Sequence, residues 1–481
     1  MNSLLLLWLL VVVASSCQAG VINVVLIGAT GNLAQKYLWQ SLRNIDHEGK
    51  TPAKLKIWPA GTRAGMQQAI DTILANNVTY LPPNSQDQFK SRVGAYHQLS
   101  TSEHFAKLNQ AISYSNAGEE EVGRIVYLSV PPKFFGGIAS EIHQNLRPSE
   151  NSTAYLKVIV EKPFGVDLNS ALQLSRDLFQ SLQDNEVLCV DHYMGKDTLR
   201  AIGAFRKANV DYLSHEFISK LDRVEVQMVE TEDCQGRTSF YSEVGVMRDT
   251  MQNHLMMMLS LFTMELADET NEEKDEESVR RAQVVQLLHG GRITKTAQYS
   301  SYKLHEKEDY LQYFGKPMES KSSEVPTYAQ VELRFKKSSP FANVPFVFTS
   351  GKAMGQRRAF LRAVQRDGQA LTFMVQGELD GIKGPAIHSS NGLAKFACPK
   401  QVGWVLDHTG HLCVGPQQAP SAYQVLLNDL LMGDFDSFVS IPEVLQSWRV
   451  WTSLVSAETS NIYPVGSLTG LEREGEVRQE L

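Results

Sequence analysis

Short apolar runs alternate with amphipathic stretches through the first 190 residues. Val21 to Ile27 (VINVVLI) is continuous and β-branched, the pattern of a strand covered on both faces. A Gly-rich turn follows it, then a helical pattern to about Ile45. Leu55–Ala60, Arg124–Val130 and Leu156–Val160 repeat the strand pattern, with helical stretches between them. Asp167 reads as the N-cap of a further helix, whose Leu168, Ala171, Leu172, Leu178 and Leu182 recur at three- and four-residue spacing. This alternation predicts a doubly wound α/β domain of Rossmann type over residues 20–190. Beyond Cys189 the runs Arg223–Glu230, Ala329–Phe335 and Val344–Ser350 alternate or are β-rich. They predict an α+β domain over 191–481 with a large, mainly antiparallel sheet.

Composition changes the picture little: 43% hydrophobic and 21% charged residues describe an ordinary globular chain. A net charge of -7 with no basic stripe excludes nucleic acid as the expected partner. Leu4–Val13 followed by Ala14-Ser15-Ser16-Cys17-Gln18-Ala19 has the form of a signal peptide, residues 1–19. No later run reaches the ~18 apolar residues of a membrane helix. The ending Arg478-Gln479-Glu480-Leu481 resembles an endoplasmic-reticulum retrieval tail, so that lumen is the expected location, with secretion as the alternative. Asn77-Val78-Thr79 and Asn151-Ser152-Thr153 are glycan acceptor sequons. Cys189, Cys234, Cys398 and Cys413 lack CxxC spacing and have no histidine cluster beside them, so no metal site is expected. Cys398 and Cys413 either pair in an oxidising lumen or remain buried thiols. Asp268–Glu277 is expected to be a solvated acidic loop.

Chemistry concentrates in a few segments. Gly28-Ala29-Thr30-Gly31-Asn32-Leu33-Ala34 follows the first strand and opens a helix, where a dinucleotide-binding turn sits. Its glycines let backbone approach a pyrophosphate, and the helix start offers free N–H groups. The second strand is followed by Arg63 rather than an acidic residue, which favours the 2′-phosphate of NADP, with NAD as the alternative. Glu161-Lys162-Pro163-Phe164-Gly165 ends a strand at the sheet edge where such folds bind ligands. Asp191-His192-Tyr193-Met194-Gly195-Lys196 packs a carboxylate, an imidazole, a phenol and a cation into six residues and begins a helix. Arg248-Asp249-Thr250-Met251-Gln252-Asn253-His254 opens another, and the Met256-Met257-Met258 run beyond it reads as core.

In these segments the chain resembles the glucose-6-phosphate dehydrogenase family, and within it the endoplasmic-reticulum branch. The segment from Asp191 to Lys196 is the most specific match; Gly236-Arg237-Thr238-Ser239-Phe240-Tyr241 and Ser350-Gly351-Lys352-Ala353 match the lumenal branch. The likeness runs from Gly28 to Ser447-Trp448-Arg449 and covers the dehydrogenase part, without the lactonase part that the lumenal enzymes carry. It implies oxidation of a hexose 6-phosphate at C1 to the 1,5-lactone, with hydride passing to NADP. His254 would be the base and Asp191 the carboxylate that orients it. His192, Tyr193 and Lys196 would hold the sugar phosphate, Glu230 and Asp249 the sugar hydroxyls, and Lys352 and Arg357 would be further substrate-side cations. Lys162 would touch both sugar and cofactor, and Pro163 would be a cis-proline near the nicotinamide. The resemblance further implies a homodimer.

Asn32, Gln35 and Phe135 depart from residues usual in the family (acidic, basic and, in cytosolic members, tyrosine), all on the cofactor side. Two other readings compete. One is a sugar or polyol dehydrogenase of the glucose–fructose oxidoreductase type, which also pairs a Rossmann domain with Glu-Lys-Pro. The other is a lumenal binding protein that has lost catalysis.

Overall fold

The computed structural model describes residues 20–149, 151–266, 277–390, 393–400 and 403–469. The expected signal peptide, the C-terminal tail and all but Glu277 of the acidic loop lie outside these residues. The chain divides into two compact units: residues up to 129 with 141–158, and residues 130–140 with 159 onward.

Six strands form the first sheet: β1 (Val21–Ile27), β2 (Lys54–Gly61), β3 (His97–Gln98), β4 (Glu121–Leu128), β5 (Tyr155–Val160) and β6 (Val187–Cys189). Their order is β3-β2-β1-β4-β5-β6, and β1 runs parallel to β2 and β4. All seven residues of β1 are buried, which is why its sequence shows no alternation. The sheet ends one residue short of the expected boundary at 190, whereas the division into compact units falls earlier in the chain. Asp167 caps the helix Leu168–Phe179 in a capping box: its Oδ1 accepts from the Ser170 N–H at 2.8 Å, and Ser170 Oγ accepts from the Asp167 N–H at 3.1 Å. Leu182 lies beyond that helix yet is buried.

The second unit is built on ten strands. These are β7 (Leu221–Val229), β8 (Leu288–Tyr299), β9 (Tyr328–Phe335), β10 (Phe346–Gly351), β11 (Arg358–Gln365) and β12 (Ala370–Gln376), with shorter pieces after them. Glu378–Leu379 (β13) and Ile382–Lys383 (β14) form a separate hairpin. Ala386–Ser389 (β15), Val405–Leu406 (β16), Leu412–Val414 (β17) and Ile462–Tyr463 (β18) extend the sheet, whose order is β16-β17-β15-β12-β11-β7-β10-β9-β8-β18. Most neighbours are antiparallel; β7–β10 and β8–β18 are parallel. Cys398 and Cys413 form a disulfide, Cα atoms 5.8 Å apart, at the β17 end of this sheet, while Cys189 and Cys234 are buried free thiols. The Met256-Met257-Met258 run is core, as its apolar surroundings predict.

Besides the π-turn at Ala34–Leu38 that opens the first helix, two helical segments that carry residues with candidate chemistry depart from the expected pattern. His192–Gly195 is a 3-10 turn, and the helix proper starts at Asp197. Met247–Leu255 winds as a π-helix before Met256–Thr263 continues as an α-helix. A π-turn closes i→i+5, so residues five apart come one above the other. In an α-helix they would diverge by roughly 140°. Asp249 and His254 are such a pair.

Candidate active site

In the first unit the chain leaves β1 through a backbone-built cradle. The N–H groups of Gly28 and Ala29 both donate to the Ala60 carbonyl at the end of β2 (2.8 and 3.2 Å), and Gly31 N–H donates back to Gly28 O at 2.8 Å. Gly28 has φ of 91°, and a Cβ on Gly31 would sit 3.0 Å from Gly28 O, so the turn admits no larger residue without shifting. Trp39 Nε1 pins Ala29 O at 2.8 Å and Gln35 Nε2 pins Thr30 O at 2.7 Å. Asn32 is exposed, Leu33 is half-buried, and Arg63 lies exposed just past β2 with its own carbonyl accepting from Tyr96 Oη at 2.8 Å. A tight glycine cradle opening a helix, with a guanidinium beyond the neighbouring strand, fits a phosphorylated dinucleotide. Phe135 lies in the second unit and is fully buried, so it presents no surface to a ligand in this conformation.

The remaining predicted residues, from Lys162 to Arg357, belong to the second unit. His254 is 1% exposed and stands between two charges. Its Nδ1 pairs with Asp191 Oδ1 at 2.5 Å, and its Nε2 faces Lys162 Nζ at 2.8 Å. A lysine ammonium on Nε2 assigns the tautomer, with the proton on Nδ1 and the lone pair on Nε2. Burial lowers the His254 pKa below that of an ordinary histidine, with Lys162 adding to the effect against Asp191's pull. Burial alone would raise Asp191, but His254's charge and hydrogen bond outweigh it and hold the carboxyl at about 2. The resting pair is therefore a neutral imidazole beside an ionised carboxylate. Asp191 Oδ1 also accepts from the Tyr193 N–H at 2.9 Å, so the 3-10 turn itself holds the carboxylate.

Lys162 Nζ also donates to the Asp249 carbonyl at 3.0 Å, one π-turn before His254. Lys352, 3% exposed, is salt-bridged to Asp249 Oδ2 at 2.9 Å and to Glu230. Burial would lower Lys352, but the two carboxylates raise it instead. The Lys162–Pro163 peptide is cis. Tyr193 stacks on the His254 ring at 4.3 Å and 20°, and His192 meets it edge-on at 4.6 Å. The Tyr193 hydroxyl is buried with no hydrogen-bond partner among the described residues, and burial pushes its pKa well up, so it remains a donor. Lys196 Nζ lies 6.0 Å from the Tyr193 ring centroid. Arg357 is exposed and pairs with Glu232 at 3.1 Å, although its charge reaches Tyr193 and Lys196.

Sequence reasoning missed the side chains that hold this group. Tyr423 stacks on His192 at 6.0 Å and 10°, Tyr463 Oη donates to Lys352 O at 2.6 Å, and the Tyr241 ring lies 5.9 Å from Lys352 Nζ. Tyr423 and Tyr463 are remote in sequence from the residues they support, and no local pattern marks them. Gly195 gives the one available hint, because a Cβ there would meet Ala422 O at 2.3 Å, so the turn must lie tight against the helix Ala422–Met432. Asp191 and Lys162 also line a cavity of about 220 Å³, mostly apolar, together with Phe164, Met257, Val444 and Trp448 among others.

Comparison with known proteins agrees with the fold. The profile of the glucose-6-phosphate dehydrogenase NAD binding domain matches residues 25–201, and that of the C-terminal domain matches 204–383. The GDH/6PGL endoplasmic bifunctional proteins of rabbit (Oryctolagus cuniculus) and human are 32% and 31% identical over 94% of this chain, which spans 61% of their length. The chloroplastic glucose-6-phosphate 1-dehydrogenase of spinach is 26% identical over 96% of this chain and 83% of its own. Among solved structures, a glucose-6-phosphate dehydrogenase in complex with glucose 6-phosphate shares the fold with a TM-score of 0.73 at 22% identity, covering 95% of this chain and 96% of its own. The Mycobacterium avium enzyme does so at 0.71 and 20%, covering 93% and 95%. With both domain profiles matched in order over most of its length, this chain belongs to the glucose-6-phosphate dehydrogenase family.

Proposed function

We propose that the chain oxidises a hexose 6-phosphate, glucose 6-phosphate first, at C1, and that NADP is its acceptor. The observation that supports this most directly is the Asp191–His254–Lys162 alignment, a neutral buried imidazole with its lone pair toward a cation and its N–H toward a carboxylate. NADP, held by Gly28 to Leu33 and Arg63, would supply the hydride acceptor. His254 Nε2 takes the proton of the C1 hydroxyl as the carbonyl forms, and Asp191 stabilises the imidazolium at Nδ1. Lys162 must leave Nε2 for this, and the sugar oxygen is its natural new partner. His192, Lys196 and the unpartnered Tyr193 hydroxyl supply donors for the phosphate, and Arg357 adds positive charge nearby. Glu230 and Asp249, held by Lys352, accept sugar hydroxyls.

The division into a dinucleotide-binding domain (20–190) and a substrate domain (191–481) is part of this reading, as are a homodimer and a place in the endoplasmic reticulum. The relatives' endoplasmic names support that place, and no described helix is long and apolar enough to cross a membrane. Of the two sequons, Asn151 is exposed, whereas the Asn77 amide donates to Ile73 O at 2.9 Å within its own helix. Asn151 is therefore the proposed glycan site.

The test is steady-state reduction of NADP and NAD by the purified chain with glucose 6-phosphate, galactose 6-phosphate and glucose. Turnover confined to phosphosugars is expected. Turnover with glucose alone would favour the glucose–fructose oxidoreductase type of chemistry, and none with any sugar would leave a binding protein.

A further inference from the structure

The loop that carries Arg63 is held from the strand beside it. Thr62, Arg63, Ala64 and Gly65 follow β2 and are all exposed, so by themselves they would sample many conformations. Two hydrogen bonds from the β3 segment limit this. Tyr96 Oη donates to Arg63 O at 2.8 Å, and Gln98 Nε2 donates to Thr62 O at 3.3 Å. Tyr96 is itself fixed, because its backbone N–H donates to Gln67 Oε1 at 2.7 Å, at the start of the helix Gln67–Val78. β3 pairs in parallel with Ala60 and Gly61, where the Ala60 carbonyl also receives the Gly28 and Ala29 N–H groups. The phenol reaches so close to Gly61 that a Cβ there would meet its oxygen at 2.8 Å.

These bonds decide where the loop's own donors face. In a trans peptide the C=O and the following N–H point in opposite directions. With the Thr62 and Arg63 carbonyls taken by Gln98 and Tyr96, the N–H groups of Arg63 and Ala64 face away from β3. Neither N–H has an acceptor among the described residues, and the Arg63 guanidinium has no hydrogen-bond or ion-pair partner there either. Burial raises the Tyr96 pKa against the opposing charge of Arg63, so the phenol stays a donor. Two successive free N–H groups beside a free guanidinium make a receptor for a compact anion, and a phosphate monoester fits it.

We propose that Tyr96 and Gln98 are positioning residues that set a preference for a coenzyme bearing a 2′-phosphate, by holding the loop of Thr62 to Gly65 in the shape that receives it. This rests on the reading of Arg63 as the residue that meets that phosphate. A coenzyme without the 2′-phosphate makes no use of the receptor, so its affinity does not depend on either hydrogen bond. Preorganisation is the physical basis: the exposed loop is ordered by the fold and not at the expense of ligand binding.

Calorimetric titration of the purified chain with adenosine 2′,5′-bisphosphate and with adenosine 5′-monophosphate tests this, since the two differ only in the 2′-phosphate. Wild type, Tyr96→Phe, Gln98→Leu, Arg63→Ala, the double variant Arg63→Ala with Tyr96→Phe, and the exposed control Tyr114→Phe are compared, each checked for a cooperative melt. Tyr96→Phe and Gln98→Leu are expected to weaken the bisphosphate ~3–10-fold, the range for one net hydrogen bond, and to change the monophosphate by less than ~2-fold. Arg63→Ala should remove the preference, and adding Tyr96→Phe to it should then cost nothing more. Tyr114→Phe should match wild type. Equal weakening of both nucleotides, or of neither, in Tyr96→Phe and Gln98→Leu overturns the proposal, and loss of the preference in Arg63→Ala would then leave the reading of Arg63 standing. A preference that survives Arg63→Ala sinks that reading and the proposal with it.

Discussion

The Gly28–Leu33 cradle and the Lys162–His254–Lys352 network are built on opposite principles. The cradle is local: its donors are backbone N–H groups, its partners lie on adjacent strands, and its main requirement is the absence of side chains at Gly28 and Gly31. The network is non-local: Lys162, Asp191, Glu230, Asp249, His254 and Lys352 come from six places along 190 residues and are held by one another's charges. A backbone site tolerates changes around it and fails when a Cβ enters. A charge network tolerates shape changes and fails when one charge goes, because the remaining charges are buried without partners.

Removing the base should have the largest effect. His254→Ala is expected to lower kcat by ~10²–10⁴ while the cofactor KM changes little; an unchanged kcat would move the base elsewhere. Next, Lys352→Met leaves Glu230 and Asp249 facing each other without their shared cation. A loss of about 3–5 kcal/mol in chemical denaturation is expected, the range for breaking a buried pair, with Lys352→Arg losing less. Equal stability would show that the network is not mutually dependent. On the other side, Gly31→Ala is expected to raise the NADP KM by ~10-fold, equivalent to about 1.4 kcal/mol, with the phosphosugar KM unchanged. A shift in both would end the contrast between the two sites.

A smaller effect comes from pH. On the proposed mechanism activity needs neutral His254, whose pKa burial and Lys162 lower. The acid limb of kcat/KM should therefore fall below the ordinary histidine value near 6.5. Removing Lys162's charge in Lys162→Met raises His254, so the surviving activity should lose its acid limb at higher pH. A shift to lower pH would contradict the assigned contact. Smallest of all, Arg357→Ala removes only an exposed pair with Glu232 and should cost less than about 1 kcal/mol of stability. A larger phosphosugar KM in that variant would show that Arg357 acts on substrate.

Legibility followed the same division. Val21–Ile27, the glycine turn and the Asp167 cap were readable because each is decided within a few residues, by burial on both faces, by missing Cβ atoms and by one side-chain acceptor. The chemistry-bearing segments were readable as clusters of unusual residue types, and their resemblance to a family supplied an order for them. The winding of Met247–Leu255 was not readable, since an apolar-flanked helical pattern does not distinguish closure at i+4 from closure at i+5. Phe135 shows the reverse limit: a position associated with the cofactor is filled here by a fully buried ring.

By itself, the sequence determined the class of the first sheet, the glycine turn that follows its first strand, and the candidate residue types of the site. Only the tertiary structure decided that His254 is flanked by Asp191 on one nitrogen and Lys162 on the other, that Lys352 joins two carboxylates, and that Tyr423 and Tyr463 support the group from the far end of the chain. The reason is physical. Propensity and turn chemistry act over one or two turns of chain, whereas the pKa and orientation of a buried group depend on whichever distant charges and rings the packing brings within a few ångströms.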